Sequence, residues 1–94
     1  MLMVFLDRAT AYDEIKDRQS MGACMQNMLL AAQALGLGTV WIGENFAAQG
    51  VFLPLMGINP EEYEYQGTIC VGYTDKNPQA PERKPLNEYM LEKF

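Results

Sequence analysis

Apolar and polar residues divide the chain into short apolar runs separated by segments with helical spacing. Residues 2–6 are an apolar run ended by Asp7, which predicts a strand buried on both faces, although a run this short also fits a helical piece. Residues 39–43 are rich in β-branched and aromatic side chains and predict a second strand. Residues 68–73 read Thr-Ile-Cys-Val-Gly-Tyr. They predict a third strand, and its two apolar faces suit the centre of a sheet.

The segment 18–35 predicts a helix, because its apolar residues recur every three or four positions. Asp17 or Ser20 can cap its start, and Gly36 follows its end. Residues 28–32 read Met-Leu-Leu-Ala-Ala and leave no polar side over more than a turn. We therefore expect protein to enclose this helix on all sides, either within one chain or at an interface between copies, and the alanines allow the close approach that an interface needs.

The remaining segments are less regular. Residues 46–56 show helical spacing interrupted by Gly50 and Pro54, which predicts a helix that closes near Leu55 with Gly57 just past its end. Residues 59–62 predict a turn or another helix start, and residues 75–85 an extended loop. Residues 86–94 predict a terminal helix with these side chains facing inward: Leu86, Tyr89 or Met90, and Phe94.

This order of elements predicts an α/β or α+β sandwich in which the three strands share one sheet. A three-stranded sheet is thin, so added strands or a second chain are expected. The 94 residues fit one domain, residues 1–94, and 49% of them are hydrophobic, which is difficult to hide in so small a monomer. Self-association is therefore expected.

Charge and cysteine content exclude several classes of partner. The net charge is −5, with no basic stripe, so nucleic acid is not expected as a partner. No stretch is long and apolar enough for a membrane span, and residues 1–6 are too short for a secretory core. Cys24 and Cys70 lack the spacing of a redox or metal pair, and we interpret them as reduced core thiols. The expected location is cytoplasmic.

Side-chain chemistry is sparse. The chain has no histidine, so neither a hydrolase triad nor a histidine-containing metal site can form within it. Residues 61–64, Glu-Glu-Tyr-Glu, form an acidic cluster without calcium-loop spacing, which we interpret as a solvated face. The sequence therefore indicates neither a catalytic side chain nor a metal site.

The most specific motif is Ala-Leu-Gly-Leu-Gly-Thr-Val-Trp-Ile-Gly at residues 34–43. It resembles the FMN-dependent nitroreductase family over ten consecutive positions, and Gln26-Asn27 upstream matches too. Residues 68–74 are similar to the family strand that ends in Gly-Tyr-Pro, with Thr74 in place of the proline, and Pro-Glu-Arg-Lys-Pro-Leu at residues 81–86 is similar to its basic segment. The resemblance runs from the first strand to Leu86 but maps only onto the C-terminal half of a family member, without the arginine-rich phosphate motif.

The resemblance implies an α+β nitroreductase-like sandwich, shortened at the N-terminus, with a thin sheet and a long central helix at a homodimer interface. It also implies a flavin site. Backbone at Trp41, Ile42 and Gly43 would run beside the isoalloxazine ring, with an amide near Gly43 bonded to the reactive flavin nitrogen and Glu44 at the same edge. Arg83, with Lys84 as the neighbouring candidate, would reach the flavin phosphate. From the residues alone, 41–43 also fit a plain core strand, and the two basic residues also fit a solvated loop.

The implied activity is electron transfer from NAD(P)H through FMN to a nitroaromatic or quinone-like acceptor. The flavin carries the redox step in such enzymes, so no acid or base side chain is required. An alternative is a catalytically silent domain that keeps the dimer core, binds no flavin and serves as an oligomerisation module. A third is a specialised branch of the family. A sheet edge at Ile42 and Gly43 that is sealed by apolar packing, with no cleft beside it in any assembly, would exclude the flavin function.

Overall fold

The computed structural model describes residues 1–92. Its elements, in chain order, are the strand β1 (Leu2–Asp7), the helix α1 (Glu14–Ala34), the strand β2 (Gly38–Ile42), the helix α2 (Asn45–Leu55), the strand β3 (Tyr63–Gly72) and a single 3-10 turn at Leu86–Glu88.

The three strands form one antiparallel sheet in the order β1-β3-β2. The shared sheet and the central position of the third strand are therefore confirmed. β3 begins at Tyr63, earlier than predicted, and its first residues pair with the end of β1. The β1–β3 register shifts between Val4, which faces Gly67, and Phe5, which faces Tyr65, so Gln66 is an extra residue that forms a β-bulge.

Capping side chains and glycines set the bounds of α1. It starts at Glu14, before the predicted position, because the Asp13 carboxylate accepts the Lys16 N–H at 2.9 Å. Asp17 is therefore not the N-cap, nor is Ser20, although Asp17 accepts the Tyr12 and Asp13 N–H groups at 2.9 Å each. At the other end Gly36 has φ 75°, and the Leu37 N–H returns to the Ala32 carbonyl at 2.9 Å. This is the glycine cap that the sequence predicts.

The expectation that α1 is enclosed on all sides is not met within one chain. Only Met25 and Ala32 are buried, whereas Leu30 is 58% and Leu35 77% exposed. Cys24 is also exposed and Cys70 is half-buried, and neither forms a disulfide. The interpretation of Cys24 as a core thiol is therefore wrong for the single chain, because the apolar sides of α1 have no neighbour within residues 1–92 that covers them.

The helix α2 ends as predicted. Its last residue is Leu55, and Gly57 follows with φ 68°, so that the Ile58 N–H can reach the Leu53 carbonyl at 3.0 Å. Residues 59–62 form a turn in which the Asn59 carbonyl accepts the Glu62 N–H at 3.1 Å.

The predicted terminal helix at 86–94 is wrong over the described residues, which contain only the 3-10 turn there. Leu86, Tyr89 and Met90 are 76%, 64% and 54% exposed rather than inward-facing. They follow an extended segment, and nothing within residues 1–92 buries them. Phe94 lies outside the described residues.

The core is small and centres on β3. Its buried apolar residues are Met25, Ala32, Leu53, Tyr65 and Ile69. The chain exposes 7856 Å², whereas a compact monomer of its mass exposes about 5,500 Å². Its radius of gyration is 16.6 Å against about 12 Å for a compact domain of this length. Much apolar surface is therefore uncovered in the single chain. Within residues 1–92, no helix has both the length and the apolar character needed to cross a bilayer.

Candidate flavin-facing turn

The candidate site lies where β2 ends and α2 begins. Ile42 is the last residue of β2 and is half-buried, whereas Gly43 and Glu44 form an exposed turn before α2 starts at Asn45. Trp41 is 39% exposed. The edge is thus open at Gly43, and the sealed arrangement that would exclude a flavin is not present.

The turn has free hydrogen-bond donors. The carbonyls of Gly43 and Glu44 accept the Phe46 and Ala47 N–H groups at 3.3 Å each, which begins the helix. The N–H groups of Gly43 and Glu44 themselves donate to no acceptor within residues 1–92. Glu44 makes no capping bond with its side chain, and a Cβ added to Gly43 would meet no atom within 4 Å. The turn therefore offers two unpaired donors, beside the positive end of a helix, to whatever lies against it.

Trp41 lies close against the sheet because Gly67 has no side chain. A Cβ built on Gly67 would lie 2.9 Å from Trp41 Nε1 and 2.8 Å from Met25 Cε, and Gly67 has φ 149°. Only a residue without a side chain lets the indole and Met25 lie this close to the β3 backbone. Gly67 is not among the residues predicted for the site, although a glycine after alternating polar and apolar residues in a strand is a signal for a bulge or a close approach.

A short chain of hydrogen bonds ties the start of α2 to β3. Asn45 Nδ2 donates to Thr68 Oγ1 at 3.4 Å, and Thr68 Oγ1 lies 2.5 Å from Tyr65 Oη. Thr68 is fully buried, and Tyr65 is 2% exposed. The ring of Tyr65 also contacts Phe46 and Phe52 of α2, with centroids 5.0 and 5.2 Å away. This cluster is not predicted from the sequence, because Asn45 and Thr68 are far apart in the chain and belong to different elements.

The two basic candidates lie elsewhere. Arg83 and Lys84 are exposed in the extended segment before the 3-10 turn, and Lys84 Nζ is 3.7 Å from Glu88 Oε2. No hydrogen bond or ion pair within residues 1–92 links either of them to residues 41–44. The four consecutive candidates, residues 41–44, therefore lie at the end of β2. Neither Arg83 nor Lys84 contacts them through a hydrogen bond or an ion pair within residues 1–92.

A cluster of charged side chains around Glu64 joins α1 to the sheet. Arg18 of α1 holds its carboxylate through two nitrogens, at 2.6 and 3.0 Å, and Arg8 Nη1 lies 3.0 Å from it. The hydrogen bonds from Arg18 lower the pKa of Glu64 to about 2, assisted by Gln66. The interpretation of 61–64 as a solvated face is therefore wrong at Glu64, which is only 17% exposed in its side chain.

A wide groove lies at the other end of β2. Its volume is about 1060 Å³, and it is lined by residues 36–40 and 70–78 with Gln33. It includes none of the residues 41–44, so it is a surface separate from the candidate turn. Within the described part of the chain, no three His, Cys, Asp or Glu side chains are placed to hold a metal ion.

The sequence of this chain agrees with one family of proteins. The chain belongs to the nitroreductase family, whose family model matches residues 1–73. That match includes the turn at 41–44 but not Arg83 or Lys84. Over 68 residues, or 70% of the chain, it is 42% identical to the NADPH-flavin oxidoreductase of Vibrio harveyi, of which it covers 27%.

Two solved structures share the fold. A nitroreductase from Desulfovibrio desulfuricans, determined in complex with FMN, is 43% identical with a TM-score of 0.89, over 97% of this chain and 52% of that one. A nitroreductase-like family protein from Bacillus cereus is 28% identical with a TM-score of 0.80, over 94% of this chain and 47% of that one. The predicted family and the α+β nitroreductase-like fold are thus confirmed. The chain spans about half the length of these two proteins.

Proposed function

We propose that this chain provides the flavin-facing turn of an FMN-dependent oxidoreductase of the nitroreductase type. In this proposal electrons pass from NAD(P)H through the flavin to a nitroaromatic or quinone-like acceptor. The observation that carries it is the pair of unpaired N–H groups of Gly43 and Glu44 at the exposed end of β2. The relative from Desulfovibrio desulfuricans, which has the same fold, holds FMN.

The residues at the turn fit the ring of a flavin. A flavin ring presents nitrogen and carbonyl acceptors along its edge, and the Gly43 N–H would donate to one of them while the glycine leaves room for close approach. Trp41 and Ile42 would border the ring, and Glu44 would lie at the same edge with its N–H as a second donor. When bound, FMN supplies the redox chemistry, and the protein supplies binding, orientation and the exclusion of water.

The phosphate end of FMN is assigned to Arg83, with Lys84 beside it. Both side chains are exposed, and the ion pair of Lys84 with Glu88, at 3.7 Å, is long and solvated, so it costs little to replace. A guanidinium binds a phosphate through paired donors, which makes Arg83 the stronger of the two.

We also propose that the functional unit is a homodimer in the cytoplasm. The chain exposes roughly 2,400 Å² more than a compact monomer of its mass, and an obligate dimer interface of about 2,000–5,000 Å² in total buries about 1,000–2,500 Å² on each chain. The apolar sides of α1 supply much of this surface, including Leu30 and Leu35. Two free thiols agree with a reducing compartment.

Flavin uptake tests the proposal. We expect the purified chain to bind FMN saturably in a titration followed by visible absorbance and fluorescence quenching. Gly43→Pro removes the amide N–H, and should weaken binding about fivefold, because one hydrogen bond contributes about 1 kcal/mol. Gly43→Ala is the matched control, since it keeps the N–H and its Cβ enters open space.

Two outcomes would contradict the proposal. The first is an absence of saturable uptake at high micromolar FMN, which, together with a stable oligomer, would favour the catalytically silent oligomerisation module. The exposed apolar surface of α1 is the observation that supports that alternative. The second is equal FMN affinity for Gly43→Pro and Gly43→Ala, which would remove the Gly43 amide from the site.

A further inference from the structure

Both ends of the candidate turn are attached to the same residue of β3. Ile42, before the turn, is paired with Thr68 in the β2–β3 ladder. Asn45, after the turn, donates its side-chain N–H to Thr68 Oγ1 at 3.4 Å. Gly43 and Glu44 lie between these two attachments, so the path of their backbone depends on where Thr68 is held.

Thr68 is itself fixed by its surroundings. It is fully buried, and its Oγ1 lies 2.5 Å from Tyr65 Oη, so its hydroxyl has no water to turn towards. Tyr65 is in turn packed among Phe5, Phe46 and Phe52, with ring centroids 5.0 to 5.7 Å apart. The position of the hydroxyl is therefore determined by the core of the molecule.

Little else holds the turn. Two backbone bonds, at 3.3 Å each, begin α2 from Gly43 and Glu44, and Glu44 provides no side-chain cap. Glycine at position 43 allows more backbone conformations than any other residue. Donors that must meet a ligand at fixed angles are effective only when the surrounding residues hold them in place beforehand.

We propose that Asn45 and Thr68 are positioning residues, which hold the N–H groups of Gly43 and Glu44 in the orientation that a flavin ring needs. This inference rests on the proposed function. Neither side chain needs to touch the flavin, because each acts through the backbone of the turn.

The experiment removes the side-chain hydrogen bond from each of its two partners, Asn45 and Thr68, and measures the mobility of the turn in the flavin-free protein. Asn45→Ala removes the donor, and Gln49→Ala is its control, since it deletes a side-chain amide from the same helix that bonds to nothing within residues 1–92. Thr68→Val keeps the shape of threonine but loses the hydroxyl, and Thr68→Ser keeps the hydroxyl. The first measurement is the ¹⁵N order parameter of Gly43 and Glu44 in the flavin-free protein, and the second is the affinity for FMN.

We expect order parameters near 0.85 in the wild type and in both controls, and values below about 0.6 at Gly43 and Glu44 in Asn45→Ala and Thr68→Val. The same two variants should bind FMN about tenfold more weakly. If Thr68→Val does not fold, Asn45→Ala decides the matter, because Asn45 is only half-buried.

Unchanged order parameters in Asn45→Ala would overturn the inference. A loosened turn that binds FMN as tightly as the wild type would also overturn it, since the attachment would then serve only the fold. A wild-type chain that takes up no FMN would instead defeat the proposed function. The order parameters would still decide whether Asn45 and Thr68 fix the turn.

Discussion

The strand β3 and the helix α1 are both apolar on more than one side, but they differ in how far the folded chain buries them. The adjacent residues Thr68 and Ile69 point to opposite faces of the sheet, and both are buried. In α1, by contrast, only Met25 and Ala32 are buried over 21 residues. An apolar segment thus indicates that something covers it, without indicating which polypeptide does so.

The difference separates two roles in the molecule. Residues of the same chain bury the centre of β3. This strand can therefore act as a fixed frame that positions the turn at Gly43 through Thr68. α1 contacts this frame through Met25 but leaves Leu30 and Leu35 on the surface. We therefore expect substitutions in β3 to change the stability of the single chain, and substitutions on the outer sides of α1 to change its assembly.

The largest effect is expected at Tyr65. Tyr65→Ala removes a 2% exposed ring with three aromatic neighbours and leaves the Thr68 hydroxyl without its short partner. The free energy of unfolding should fall by about 3–5 kcal/mol, much of the total for a domain of this size. Urea denaturation followed by circular dichroism measures this change.

Tyr12→Ala is the matched control, because Tyr12 is 80% exposed and its change should stay within about 0.5 kcal/mol. Equal losses at the two tyrosines would mean that β3 is no better packed than the surface of the chain, and the contrast with α1 would disappear.

A smaller effect is expected at Glu64, which joins β3 to α1 through Arg18. Its pKa falls from an ordinary 4.5 to about 2 in the folded chain, so its carboxylate stabilises the fold above pH 4.5, and this stabilisation is lost as the pH falls from 4.5 to 2. Glu64→Gln should lower the free energy of unfolding at pH 7 by about 1–2 kcal/mol, since both arginines remain partly solvated.

The difference between wild type and Glu64→Gln should shrink as the pH is lowered through this range, in urea denaturation repeated at several pH values. Glu62→Gln is the control, because Glu62 is exposed and its side chain forms no ion pair within residues 1–92. A wild-type advantage that stayed constant down to pH 2 would show that the charge of Glu64 is not what joins the two elements.

Local patterns in the sequence predict the three strands and the C-terminal ends of the two helices, because these depend on neighbouring residues, whereas α1 starts at Glu14 rather than at residue 18. Alternation and β-branching identify the strands, and glycines mark the ends of α1 and α2 at Gly36 and Gly57. The same alternation in Tyr-Glu-Tyr-Gln would have extended β3 back to Tyr63. The prediction of a terminal helix is wrong over residues 86–92, because helical spacing is not sufficient where no apolar surface within residues 1–92 packs against it.

Local patterns predict only part of the candidate site. The family motif at 34–43 identifies the turn at the end of β2, but the residues that hold it come from elsewhere in the chain. Thr68 is 23 positions from Asn45, and Glu64 is 46 positions from Arg18. No local pattern encodes such pairs, since they form only when the antiparallel register of β3 brings them together.

The smallest effect on the folding of the single chain is expected on the outer side of α1. Leu30 is 58% exposed, so Leu30→Lys should change the free energy of unfolding, measured at low protein concentration, by no more than about 0.5 kcal/mol. The same substitution places a charge within the proposed dimer interface, so light scattering should show the mass falling from that of a dimer towards 10.6 kDa. Gln19→Lys adds the same charge at an exposed polar position of α1 and should leave the dimer intact. A wild-type chain that is already monomeric, or a Leu30→Lys dimer as stable as the wild type, would mean that a second copy is not what covers this helix.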